Sequence, residues 1–199
     1  MHRTLKRSLA LAVLALVVPG AALAATVKVR VEGKTQTIWG PTEVSVTASN
    51  ALEALEAASL AGEFYYHVTR TSFGPYVDQV ARYGGAASSG WVFKVNDASP
   101  PVGADAVTLK DGDRVVWYYA DFGPAGGPPT LLVRRAARGC YAVAAFDDNG
   151  RTVPAPGVVL RVGSKRTVAV KSGQACPGPH PGLLVRAVAP GAVRSNALP

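Results

Sequence analysis

Few side chains in this 199-residue sequence could carry covalent chemistry, and they lie far apart. Beyond the first two dozen residues the chain has two histidines, His67 and His180, and two cysteines, Cys140 and Cys176. A Ser-His-Asp or Cys-His relay needs its members within hydrogen-bond reach, and here it would have to join opposite halves of the chain. His67 sits in the strand-like run Tyr65-Tyr66-His67-Val68, and His180 in the rigid turn Pro177-Gly178-Pro179-His180-Pro181-Gly182. Ordinary strand and turn roles are expected for both. Glu53 and Glu56, spaced i, i+3, suit a solvated helix face better than a glycosidase pair. Asp111-Gly112-Asp113 and Asp147-Asp148-Asn149 lack the ligand count and spacing of a calcium loop and are expected to be turns. No glycine-rich phosphate loop runs from a strand into a helix. The expectation is a chain that is not an enzyme and has no cofactor or metal centre.

The side chains that could do non-covalent chemistry are aromatic, and they concentrate in residues 90–119. Trp91, Phe93 and Val95 share one face of a first strand by period-2 alternation. A second strand puts Val116 and Tyr118 on one face and Val115, Trp117 and Tyr119 on the other. Each such ring withdraws roughly 150–250 Å² from water when buried. A strand apolar on both sides is either central in its sheet or half exposed, and the second option implies a surface that binds something. Core packing remains the alternative for each ring.

Those strands must be held by a folded module, whose start is set by the leader. Arg3, Lys6 and Arg7 precede an apolar run from Leu9 to Val18, a Pro19-Gly20 break and Ala22-Leu23-Ala24. This is the pattern of a secretory signal peptide over residues 1–24, with cleavage expected near Ala24-Ala25. No later run reaches the roughly 18–20 apolar residues of a membrane span. The expected location is therefore secreted or cell-envelope, in an oxidising compartment where Cys140 and Cys176 would form one disulfide. Closing that loop would stabilise a small module by roughly 4 kcal/mol in the chain-entropy picture.

Element signals divide the remainder in two. Val27-Lys28-Val29-Arg30-Val31 alternates and turns toward Val44-Ser45-Val46-Thr47, a hairpin. Asn50 and Glu53 have capping-box spacing before an apolar stripe of Leu52, Leu55, Ala58, Ser59 and Leu60, which predicts a helix from Asn50 to Ala61. A strand over Phe64–Thr69, a Gly74-Pro75 turn and a flexible loop over 84–90 precede the aromatic strands. This order is α+β, one helix on a mostly antiparallel sheet. Residues 122–130, rich in Gly and Pro, read as a linker. Beyond it, short runs at Leu131–Arg134, Cys140–Phe146, Val158–Val162, Thr167–Val170 and Leu183–Ala187 predict a small all-β, immunoglobulin-like module over 131–199, with Asp148-Asn149-Gly150 as a hairpin turn. The two halves differ in charge: residues 25–130 carry 8 basic and 11 acidic side chains, residues 131–199 carry 10 and 2. The basic half is suited to an anionic envelope polymer or a protein partner, and nucleic acid is not expected for an exported chain without a recognition motif.

Four segments, taken in order, resemble a known family. They are Asn50-Ala51-Leu52-Glu53-Ala54-Leu55-Glu56-Ala57-Ala58, Phe73-Gly74-Pro75-Tyr76-Val77-Asp78-Gln79-Val80, Gly90-Trp91-Val92-Phe93-Lys94-Val95-Asn96, and Leu109 to Tyr119. Together they are similar to the transcobalamin-like C-terminal domain, found also as a domain of unknown function in secreted bacterial proteins. The resemblance implies a β-grasp-like fold of the soluble-ligand-binding kind over residues 25–121. It also implies a small-molecule ligand, with cobalamin the candidate. A corrinoid needs apolar contact for its ring face and hydrogen-bond partners for its amides. Tyr76, Trp91, Phe93, Trp117 and Tyr119 are candidates for the face, and Asn96 and Tyr118 for the rim. Each could equally be core or turn. An adhesive or structural envelope module is the competing reading.

Overall fold

The computed structural model describes residues 24–124 and 126–199. Apart from Ala24, the leader read at 1–24 lies outside the described residues. The chain is α+β, with one α-helix among fourteen strands within the described residues. Strands β1 (Ala25–Glu32) and β2 (Thr37–Ala48) form the expected antiparallel hairpin, pairing Val27 with Val46 and Val29 with Val44. Its register then jumps, so that Val31 faces Trp39. The bulge needs Gly40, whose φ is +62° and where a Cβ would press on the Val29 carbonyl oxygen.

Helix α1 (Ala51–Gly62) follows at the predicted place. Asn50 accepts the Glu53 N–H at 2.9 Å, and the Glu53 carboxylate reaches back to the Ser49 N–H at 2.8 Å, a capping box displaced by one residue. The buried stripe is Ala51, Ala54, Leu55 and Ala58. Leu52 is only half-buried and Leu60 is exposed, which corrects the predicted stripe. Small alanines let the helix lie close to the sheet, where Trp117 donates its indole N–H to the Ala51 carbonyl at 3.0 Å.

A second sheet holds β3 (Tyr66–Thr71), β4 (Gly74–Val80) and β5 (Tyr83–Gly84). The turn expected at Gly74-Pro75 is instead at Ser72-Phe73, and Pro75 lies inside β4 opposite Arg70. Pro75 can sit there because β5 pairs only with the far end of β4, so the missing N–H breaks no ladder. Strands β6 (Ser89–Val95) and β7 (Arg114–Asp121) pair antiparallel, with Trp91 opposite Tyr119 and Phe93 opposite Trp117. Strand β7 also pairs in parallel with β1, giving the order β2-β1-β7-β6. The doubly apolar strand is thus central, the first of the two options its pattern allows.

In the second half, β8 (Thr130–Arg135), β9 (Tyr141–Phe146) and β12 (Gln174–Ala175) form one sheet. Strands β10 (Val159–Val162), β11 (Arg166–Ala169), β13 (Val185–Val188) and β14 (Ala197–Leu198) form another, ordered β11-β10-β13-β14. Both sheets contribute to one core of Leu131, Val133, Tyr141, Leu160, Val162, Val185 and Ala187. Cys140 and Cys176 are bonded across a separation of 36 residues. No helix among the described residues is long and apolar enough to cross a membrane.

The halves share a packed seam. Val92, Val116, Tyr118 and Ala120 meet Val193 on the face of β7 turned away from α1. Lys94, fully buried, donates to the carbonyls of Phe146 and Asp147 at 3.0 and 2.8 Å and lies 3.4 Å from the Asp148 carboxylate. Buried Glu32 accepts from Arg186 and, at 3.0 Å, from Arg194, and Arg30 lies beside it. The stretch read as a linker is held too: Gly127 donates to Asp148 at 3.3 Å and Val193 to the Pro129 carbonyl at 2.9 Å.

Candidate functional site

The edge strand β6, the start of β4 and the loop after Ala98 leave a cleft between them. Its floor is aromatic because period-2 alternation sends Trp91 and Phe93 to the same side of β6. Trp117, opposite Phe93 on β7, brings its ring to within 5.0 Å of the Phe93 ring. Both indoles are almost wholly buried and hydrogen-bonded, Trp91 donating to the Tyr83 carbonyl at 2.8 Å and Trp117 to Ala51. They are core residues whose edges show at the bottom of the cleft. Tyr76 on β4 closes one side and is 41% exposed. Its hydroxyl packs over Gly90, where a Cβ would push it aside.

The cavity is about 240 Å³, lined by Pro75, Tyr76, Val77, Trp91, Val92, Phe93, Ser99, Pro100, Gly103, Ala104 and Trp117. It carries no charged side chain. Phe73 and Val102, each a residue or two from the lining in sequence, are exposed, Phe73 almost completely at 97%. A volume below the roughly 300–1,000 Å³ of enclosed drug-sized sites admits one ring or a short branched group, not a macrocycle.

Four of the seven sequence-predicted ligand residues, Tyr76, Trp91, Phe93 and Trp117, therefore meet at one cavity. The other three do not. Asn96 forms a hairpin turn with Asp97, both at positive φ, and its amide is used up on the Asp113 carboxylate at 2.7 Å and the Arg114 N–H at 3.0 Å. Tyr118 points to the opposite face of β7, into the seam, where burial, then the neighbouring Asp148 charge, pushes its phenol well above the ordinary range. Tyr119 bonds to the Ser89 hydroxyl at 2.8 Å and the Gly84 carbonyl at 3.1 Å, and its ring borders a different notch beside Lys34 and Arg194. The sequence reading missed Pro100, Gly103 and Ala104. The Pro100-Pro101 pair followed by Gly103 is a stiff loop directly after the aromatic strand, and that juxtaposition was the available signal.

The titratable groups elsewhere are arranged as strand and turn contacts. His67 Nδ1 lies 2.7 Å from Asp78, which also accepts from Thr69 at 2.6 Å. The Thr69 hydrogen bond, and then His67, hold the Asp78 carboxyl below its usual range. The carboxylate stands between imidazole and hydroxyl, so the histidine cannot take the hydroxyl proton, which is the opposite of a nucleophile relay. His180 Nε2 lies 2.9 Å from the Tyr141 hydroxyl. No group of three His, Cys, Asp or Glu among the described residues is placed to hold a metal ion.

A family model described as "Domain of unknown function (DUF4430)" matches residues 46–121, which include the whole cleft. This segment is similar to that family of transcobalamin-like domains. The DUF4430 segment contains α1 and strands β3 to β7, while β1 and most of β2 lie outside the match. Among solved structures, haptocorrin in complex with Cbi is 16% identical at a TM-score of 0.45, over 53% of this chain and 27% of its own. A protein of Ruminococcus gnavus ATCC 29149, described as a candidate metal binding protein, is 17% identical at a TM-score of 0.39, over 50% of this chain and 99% of its own. The chain spans about a quarter of the haptocorrin chain. Comparison with curated proteins finds no match.

Proposed function

We propose that the DUF4430 segment is a ligand-binding domain of an exported, non-catalytic protein, and that its ligand enters the cleft between β4 and β6. The observation that carries this reading is an uncharged aromatic cavity, floored by Trp91, Phe93 and Trp117, beside exposed apolar side chains at Phe73, Tyr76 and Val102. Large exposed apolar groups next to a concavity mark a binding surface more often than chance exposure does. The cavity size makes the ligand one that inserts an edge and lays the remainder across the mouth. A flat corrinoid with methyl groups at its periphery meets that requirement, and the family resemblance makes it the first candidate. In this reading residues 25–121 are a β-grasp-like module, residues 122–130 a connector and residues 131–199 an immunoglobulin-like module. The Cys140–Cys176 disulfide supports export to an oxidising compartment.

Titration of cobalamin and cobinamide into the protein, followed by tryptophan emission and calorimetry, tests the proposal. Binding should perturb Trp91 and Trp117 saturably. Tyr76→Ala removes rim contact from an exposed position and should weaken affinity roughly ten- to thirtyfold while the fold persists, given about 25 cal/mol per Å² of apolar area lost. Trp117→Ala is a poor probe, since that ring is core. A flat response to both corrinoids, or equal affinity for wild type and Tyr76→Ala, removes the corrinoid reading.

A further inference from the structure

A second concavity lies at the far end of the molecule, wholly within the basic half. We propose that the open groove between the Arg135–Tyr141 turn and the Gly178–Gly182 loop is an oxyanion site for a phosphate-type group. Its volume is about 620 Å³, and Arg135, Arg138, Tyr141 and His180 line it with no Asp or Glu among the lining residues. Arg166 reaches the same rim, its guanidinium 3.5 Å from the Pro179 carbonyl. Arg135 and the Tyr141 hydroxyl, 3.1 Å away, both donate to one oxygen of Pro199, which also lines the groove, so the cation left for an incoming group is Arg138, with Arg166 at the rim.

Arg138 is the informative residue. It is exposed, and among the described residues its guanidinium makes no hydrogen bond and no ion pair. Its backbone is left-handed, at φ 59° and ψ 34°, and Gly139 beside it has φ +71°. A turn of this shape favours glycine, so an arginine there carries backbone strain. The side chain it keeps in place is a five-donor cation whose planar fork matches phosphate. The opposite wall is stiff: Pro179 and Pro181 limit its backbone and the disulfide fixes Cys176 at its base. A preformed cationic groove loses little entropy when an anion enters. Its volume exceeds a lone phosphate several-fold, so the oxyanion can arrive free or as a unit of a chain.

The two sources separate in one experiment. Inorganic phosphate and linear polyphosphate are titrated by calorimetry at low salt into the full chain, into Arg138→Gly and Arg138→Asn, and into Arg161→Gln, which removes an exposed charge outside the groove. Glycine and asparagine both tolerate left-handed backbone, so the melting temperature of the Arg138 variants should be unchanged or higher. Affinity should fall about tenfold or more in both, and less than twofold in Arg161→Gln. Binding of both anions with similar affinity per phosphate supports a single-ion site, and preference for the polymer supports a chain lying along the groove. Absence of binding by either anion, or equal losses in Arg138→Gly and Arg161→Gln, overturns the proposal.

Discussion

Tyr118 shows what one buried side chain can reveal about the fold around it. Its phenol titrates above the ordinary value because burial disfavours the phenolate, and the Asp148 charge adds to the effect. The unfolded chain loses this proton near pH 10, whereas the folded chain still holds it. Above pH 10 the folded state therefore binds more protons than the unfolded one, and this group's stabilisation is lost as pH climbs toward the folded value. Tyr118→Phe should cost under about 1 kcal/mol at neutral pH, since the hydroxyl lies as far as 3.5 Å from Asp148. It should also flatten the decline of the urea midpoint between pH 10 and 11.5. A decline as steep as in the wild type would mean that Tyr118 is not sealed in the seam. Alternation along the strand correctly set Tyr118 on the face opposite Trp117. What covers that face could not be read, because Val193 and Asp148, the groups that close over it, come from the other half of the chain. The same gap hides Lys94, which is fully buried against the other half, its burial lowering its pKa.

Elements were legible where their signals are local. Asn50 and Glu53 located α1 to within a residue, and the cap bond at 2.9 Å makes its contribution measurable. Asn50→Ala should lower stability by about 1 kcal/mol, read as a shift in urea midpoint at constant slope. An unchanged midpoint would show that docking on Trp117, not capping, holds the first turn. The stripe on the same helix was misread because leucine outranks alanine in hydrophobicity, whereas this sheet admits only small side chains at the contact. Strands β12 and β14, two residues each, escaped notice because so short a pairing has no periodicity to detect. The disulfide was legible from the cysteine count and the expected export alone. It closes 36 residues and ties the Ala137–Gly139 turn to the proline loop. Replacing both cysteines by alanine should cost roughly 4 kcal/mol on the chain-entropy estimate, visible as a lower melting temperature that added reductant does not change further. Melting at the wild-type temperature would mean that the pairing of β9 with β12 needs no covalent tie.

At the scale of the whole molecule, the charge asymmetry becomes an interface. Asp147 and Asp148, the only acids of residues 131–199, lie where Lys94 of the other half is buried. Glu32 in turn receives Arg186 and Arg194 from the basic half, with Arg30 alongside. Three guanidinium groups around one buried carboxylate leave no spare negative charge, and burial lowers the pKa of Arg30 and Arg186. Removing the carboxylate strands these cations in a site already shielded from water, the situation in which breaking a buried ion pair costs about 3–5 kcal/mol. Glu32→Ala should therefore destabilise by that amount, although Glu32, at the very end of β1, lines neither proposed binding site. The same reasoning applies to residues 25–121 produced alone. Val116, Tyr118 and Ala120 would then lose their cover, and Lys94, Arg30 and Glu32 would lose their partners across the seam. The full chain should unfold in one cooperative transition by calorimetry, and the isolated segment should melt lower and bind a hydrophobic dye. If the segment instead melts at the full-chain temperature with no dye binding, the seam is a passive contact and the halves fold independently.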